Sequence, residues 1–263
     1  MCDKERIDAD VRGEAPGRAS HLTGVSRSVQ RWAEQPQGVG VDYVLIPGAG
    51  GRAWYWHLLA PRLAERGHRP IAVELPADDD SKGLSDYAAA VLDAVDTAGG
   101  VVIVAASLGA FTAPLVVGPL QATAVVLVNP MIPLPGETPG AWWGNTGALE
   151  ARSAHASRLG YPTEFDPRSY MFHDVPPEVL ATATPKGEQS QRPFRDPCTF
   201  SSWPAAATVI SGRDDRFFPV EFQQQLARAR LGVEPVVVPG GHLVALSQPD
   251  ELTAAILAAT GGQ

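Results

Sequence analysis

Ser107 lies in Val104-Ala105-Ala106-Ser107-Leu108-Gly109-Ala110, directly after the apolar run Val101–Val104. The residues two before and two after the serine, Ala105 and Gly109, are both small. A serine held at a sharp strand-to-helix turn needs small neighbours there, because larger side chains would clash across the turn. The usual form is G-x-S-x-G, and alanine at the first place keeps the size. Such a turn exposes Oγ for attack on an electrophilic carbon. Serine is a weak nucleophile at neutral pH, so it needs an imidazole to take its proton and a carboxylate to fix the imidazole tautomer. Both residue types follow in the chain, Asp214 and Asp215 within Ser211–Pro219, and His242 within Pro239-Gly240-Gly241-His242-Leu243. Pro47-Gly48-Ala49-Gly50-Gly51 is glycine-rich enough to turn backbone N–H groups inward, as holding an oxyanion requires.

Each of these segments follows an apolar run. Val41–Ile46, Pro70–Leu75, Val101–Ala105, Ala124–Val128, Ala207–Ile210 and Glu234–Val238 read as strands. Trp54–Arg66, Ser85–Ala98 (Ser85 as N-cap), Leu108–Val117, Val220–Leu231 and Pro249–Ala259 read as helices. Alternating strands and helices predict an α/β fold, a mainly parallel sheet with helices on both faces. Loops at the carboxyl ends of such strands converge on one site.

Two stretches break the alternation. Residues 1–40 mix both charge signs with few apolar anchors and read as an N-terminal extension, with a short helix over Val25–Glu34. The main domain is then 41–263. From about residue 130 to 204 the alternation stops, and so long a structureless loop is unexpected in a compact domain. An inserted cap is predicted, in which Trp142, Trp143, Tyr161, Tyr170 and Phe172 either pack a small core or line a pocket. Trp142, Trp143 and Tyr170, with Gly48, are taken as candidate substrate contacts.

The 263 residues include 21 basic and 29 acidic side chains, a net charge of −8, which argues against a nucleic-acid partner. No signal peptide is visible, and residues 97–136, although uncharged, are punctuated by prolines and glycines, which argues against a membrane span. With two cysteines, Cys2 and Cys198, a reducing, cytoplasmic setting is expected. The other histidines (His21, His57, His68, His155 and His173) are read as surface or packing residues. Asp78-Asp79-Asp80 lacks a metal-loop spacing and reads as a solvated turn, so no metal is expected.

A rival reading comes from the same glycines. Gly48-Ala49-Gly50-Gly51-Arg52-Ala53 fits G-x-G-x-x-A between a strand and a helix, with Glu74 about 20 residues on, as in a dinucleotide-binding fold. An elbow serine, a late aspartate and a terminal Gly-Gly-His in this order have no place in such a protein.

From Val41 to about Ala259 the chain resembles the α/β-hydrolase-fold serine hydrolases. It is similar to the small-esterase and hydroxynitrile-lyase branch, in which the oxyanion loop runs into a Trp-rich helix as Ala53-Trp54-Tyr55-Trp56 does here. The resemblance implies Ser107 as nucleophile, His242 as base and Asp215 as orienting acid, with Asp214 the alternative. It implies the backbone amides of Ala49 and Leu108 as oxyanion donors, and no cofactor. Gly48 stands where the cyanohydrin lyases of this branch carry threonine, and Leu243 where they carry lysine. The expectation is therefore hydrolysis of a carboxylic ester, thioester or lactone with an apolar portion. The alternative is a non-hydrolytic or C–C-bond-cleaving enzyme of the same fold.

Overall fold

The computed structural model describes residues 29–31, 40–96, 100–183, 187–203 and 207–261. Cys2, His21 and most of the expected extension lie outside them.

The expected strands form. They are β2 (Asp42–Ile46), β3 (Arg69–Val73), β4 (Val102–Ala106), β5 (Ala124–Val128), β6 (Ala207–Gly212) and β7 (Val236–Val238), all parallel to one another. A seventh strand, β1 (Val29–Arg31), pairs antiparallel with β3 and gives the order β1-β3-β2-β4-β5-β6-β7. At Val29–Arg31 this corrects the helix expected over Val25–Glu34, the rest of which lies outside the described residues. The unpaired edge of β3 offers backbone partners that a short isolated helix cannot match.

Alternate residues of each strand face opposite layers, which is the period-two signature of a strand. On β4, Ile103 and Ala105 join the cluster beneath α2 (Leu84–Ala94), α3 (Ala113–Val116) and α8 (Val220–Leu231). Val102, Val104 and Ala106 join the opposite cluster, beneath α1 (Leu59–Ala64), α9 (Val244–Ser247) and α10 (Pro249–Thr260). All five β4 residues are buried, as expected of a central parallel strand covered on both faces.

Two expected helices are broken by proline. In place of one helix over Trp54–Arg66, a 3-10 turn spans Ala53–Trp56 and α1 restarts at Leu59, with Pro61 in its first turn. Likewise Ser107–Phe111 is a 3-10 turn and α3 begins anew with Pro114 near its start. Proline has no N–H to continue the ladder but suits a first turn. Ser85 is not the cap of α2. Gly83 occupies that position, and its amide donates to Asp86 Oδ2 at 2.9 Å.

Between β5 and β6 the chain forms α4 (Pro139–Thr146), α5 (Ala148–Leu159), α6 (Pro167–Tyr170), α7 (Pro177–Leu180) and a 3-10 turn at Pro193–Arg195. Trp142 and Ala148 of this insertion join one sheet-face cluster and Val175 the other. Glu137 of the insertion is buried against Arg230 of α8, with side chains 4% and 7% exposed. Among the described residues no helix is long and apolar enough to cross a membrane.

Candidate active site

Ser107 follows β4 at the first residue of the 3-10 turn and has φ +49°, a left-handed conformation that a side-chain-bearing residue adopts only under constraint. The turn is tight enough that a Cβ on Gly109 would sit 2.5 Å from the carbonyl oxygen of Pro47. The small residue at this place is therefore a steric requirement. At the other flank Ala105 is fully buried.

His242 follows β7, and its Nε2 lies 3.2 Å from Ser107 Oγ. Its Nδ1 lies 2.9 Å from Asp215 Oδ2, the aspartate that follows β6. Both partners are buried, with side chains 1% and 0% exposed. A carboxylate accepts only, so Nδ1 carries the proton toward Asp215 and Nε2 is left to accept from the serine hydroxyl. Asp215 Oδ1 accepts the backbone N–H groups of Phe217 and Phe218, at 2.8 and 2.9 Å. Asp214 points elsewhere. It pairs with Arg213 and accepts the Gly240 amide at 3.1 Å. Burial pushes its pKa up, but Arg213 and the Gly240 amide outweigh that and hold it below the usual carboxylate value.

Two residues that the sequence reading did not single out lock this arrangement. Gln223, on α8, donates from Nε2 to Asp215 Oδ2 at 3.1 Å and to Phe218 O at 2.7 Å. Asn129, at the end of β5 with φ +44°, donates from Nδ2 to the carbonyls of Gly241 and His242, at 3.1 and 2.9 Å. Its Oδ1 accepts the Gly212 amide at 2.7 Å. Asn129 thereby ties the ends of β5 and β6 to the histidine loop. Its place after a strand was a usable signal. Gln223, inside a helix, gave none.

Gly48 passes close to the serine. A Cβ there would lie 3.0 Å from Ser107 Cβ and 3.6 Å from Oγ. Gly48, Ala49, Leu108, Ser107 and His242 all line one cavity of about 430 Å3. Its wall is largely aromatic, with Trp54 and Tyr55 after the glycine loop, Trp143, Phe165, Phe172 and Phe194 from the insertion, and Phe217 after Asp215. Met131, Met171, Leu243 and Leu246 add aliphatic surface, and Arg52 adds a guanidinium whose Nε is 3.6 Å from Glu74 Oε1. Burial raises the Tyr55 phenol, so it stays protonated.

Trp142 and Tyr170, expected as possible substrate contacts, do not reach this cavity. Both are fully buried. Trp142 Nε1 donates to Ile132 O at 3.0 Å, and Tyr170 Oη donates to Pro162 O at 2.6 Å. They pack the insertion, as the other branch of the sequence reading allowed. Trp143 does line the cavity. His173, read as a packing residue, lies in the insertion against the histidine loop, and burial lowers its pKa.

The glycines of the rival motif serve other ends. Glu74 Oε2 accepts the Ala53 amide at 2.7 Å, and a Cβ on Gly51 would meet Ala77 Cβ at 2.6 Å. The glutamate is thus engaged at the start of the 3-10 turn. Asp79 Oδ1 accepts the Ser81 amide at 2.9 Å, and no group able to hold a metal ion occurs among the described residues.

A parallel sheet with a serine elbow after β4, and Asp215 and His242 at later strand ends, defines the α/β-hydrolase class of fold. The profile of the alpha/beta hydrolase family matches residues 43–255, and the chain belongs to that family. Among solved structures it is similar to a pyrethroid hydrolase from Sphingobium faniae JZ-2, at 22% identity and a TM-score of 0.63, over 84% of this chain and 97% of that one. It is also similar to a polyneuridine aldehyde esterase, at 19% identity and a TM-score of 0.62, over 84% and 99%. A methylesterase from Arabidopsis aligns at 17% identity and a TM-score of 0.65, over 85% and 100%. Among curated proteins, no sequence matches this chain.

Proposed function

We propose that this protein is a serine hydrolase that cleaves a carboxylic ester, thioester or lactone through an acyl-enzyme on Ser107. The observation that carries the reading is the unbroken sequence of contacts from Ser107 Oγ to His242 and from His242 to Asp215. Ser107 attacks the carbonyl carbon as His242 Nε2 takes the hydroxyl proton, and Asp215 stabilises the imidazolium. The amides of Ala49 and Leu108 hold the tetrahedral oxyanion. His242 then returns the proton to the leaving oxygen or sulfur, and water, deprotonated by the same imidazole, releases the acid.

The insertion over residues 130–204 serves as the cap of a 41–263 hydrolase domain. Its aromatic rings, with Trp54 and Phe217, favour a small molecule with a flat apolar group. Arg52 has Glu74 beside it, so the wall carries little net charge, and an uncharged substrate avoids the desolvation that an ionised one would suffer there. The absence of a hydroxyl at Gly48 and of an amine at Leu243 favours hydrolysis over cyanohydrin cleavage. The polyneuridine aldehyde esterase and the methylesterase act on esters by their names, which supports the same reading.

Steady-state turnover of p-nitrophenyl esters tests it. Ser107→Ala and His242→Ala should each lose on the order of 10⁶-fold in kcat, leaving only the small residual rate that binding and the oxyanion amides supply. Turnover near the wild-type rate in either variant would refute the assignment.

A further inference from the structure

The inserted segment reaches all three strand-end loops around Ser107, each through a polar tie. Gln189 Oε1 accepts the Gly50 amide of the glycine loop at 2.8 Å. Asp174 Oδ2 accepts the Gly241 amide, next to His242, at 2.6 Å. The Ser169 carbonyl accepts Arg216 Nη1, next to Asp215, at 3.2 Å, and the Tyr161 ring lies 4.9 Å beneath the same guanidinium.

Two of these ties act directly on backbone beside reacting groups. A peptide unit is planar, so fixing one N–H fixes the plane it shares with the preceding carbonyl. Gln189 holds the 49–50 peptide, and the Gly51 amide, donating to Gly48 O at 3.1 Å, closes the turn around it. The direction of the Ala49 N–H is then determined from both sides. Gln189 is itself held, because its Nε2 donates to Tyr87 Oη at 3.1 Å and to Ser190 O at 2.9 Å.

At the histidine loop, successive amides are taken by two carboxylates, Gly240 by Asp214 and Gly241 by Asp174. The fit there is close. A Cβ on Gly241 would lie 2.7 Å from both His173 Nε2 and Asp174 Oδ1. A side chain at Gly241 would push the ends of both His173 and Asp174 back from the loop.

We propose that Gln189 and Asp174 are positioning residues. Through them the insertion sets the Ala49 amide and the His242 imidazole, in addition to forming the wall of the cavity. The proposal rests on Ser107 being the nucleophile. It implies that the insertion cannot swing away as a rigid lid without dismantling the machinery beneath it.

The test is kcat and KM for p-nitrophenyl acetate, whose acyl group is too small to need the aromatic wall, in Gln189→Ala, Asp174→Ala and Asp174→Asn. Each alanine variant should lose about 10²-fold in kcat, the scale of an ångström-sized misplacement, with KM nearly unchanged. Asp174→Asn keeps an oxygen for the Gly241 amide and should recover most of the rate. Should Asp174→Ala fail to fold, Gln189→Ala carries the same readout. Unchanged kcat with raised KM in Gln189→Ala and Asp174→Ala would overturn the proposal, reducing the insertion to a substrate wall. Equal losses in Asp174→Asn and Asp174→Ala would overturn it for Asp174. Fluorophosphonate labelling of the wild-type protein separates the two levels. No label on Ser107 refutes the nucleophile, whereas a labelled Ser107 with unchanged kcat in the alanine variants refutes only the positioning.

Discussion

Gln223 donates its side-chain N–H to Asp215 Oδ2, the same oxygen that faces His242 Nδ1. With the Phe217 and Phe218 amides on Oδ1, the carboxylate receives four hydrogen bonds, and neither oxygen can rotate out of line with the imidazole. Gln223 is buried and also accepts the Ser211 hydroxyl at 2.9 Å, so removing it orphans several groups at once. Gln223→Leu should lower kcat for p-nitrophenyl acetate and destabilise the fold by about 1–3 kcal/mol. Urea unfolding beside the kinetics reads both, and a variant with wild-type kcat would remove Gln223 from the account.

The two neighbouring aspartates should separate cleanly. Asp215→Asn reverses the tautomer preference at His242 and should cost about 10⁴-fold in kcat. Asp214 touches the Gly240 amide and not the imidazole, so Asp214→Asn, which keeps an acceptor oxygen, should cost far less. Turnover numbers for the two variants decide it, and the reverse order would move the acid to Asp214.

These contrasts show what the sequence could carry. Ser107, the aspartate pair and His242 were legible because each follows an apolar strand run and the order of the three is distinctive. The choice between Asp214 and Asp215 was open to residue reading alone, since it depends on which side of a turn each carboxylate leaves. Asn129 and Gln223 act through contacts between residues far apart in the chain; only the place of Asn129 after a strand hinted at its role, and nothing local marked Gln223. The aromatic residues of the insertion showed that rings would gather there, but not which ones. Trp142 faces inward and Trp143 faces the cavity because adjacent residues on a helix point about 100° apart. The strand at Val29–Arg31 was missed because its partner, the edge of β3, is supplied by tertiary structure.

Trp143 should govern recognition of bulky substrates more than chemistry. Trp143→Ala removes part of the cavity wall, and losing a large apolar contact of about 1.5–3 kcal/mol corresponds to roughly 10- to 100-fold in kcat/KM for an aryl ester. Acetate esters should lose little. Paired kinetics on phenylacetate and acetate esters of p-nitrophenol checks this, and equal losses on both would contradict it.

The buried Glu137–Arg230 pair should make stability depend on acid. Burial pushes the Glu137 carboxyl up, but Arg230, Asn145 and the Leu134 amide outweigh it and hold the pKa below the usual value. A carboxylate depressed on folding stabilises above its unfolded value, about 4.3, and that contribution disappears as pH falls through the lower folded value. Glu137→Ala leaves Arg230 buried without its carboxylate and should cost about 3–5 kcal/mol at neutral pH. The gap between wild type and variant in urea unfolding should narrow below about pH 4; a gap constant down to pH 3 would rule out the ion pair as its source.

The most direct measurement for the central claim is the mass of the protein after reaction with a fluorophosphonate, followed by peptide mapping. A single phosphonyl adduct on Ser107, absent in Ser107→Ala and strongly slowed in His242→Ala, is the result expected of a serine activated by His242 and Asp215. An unmodified protein, or an adduct on another residue that persists in Ser107→Ala, would contradict it.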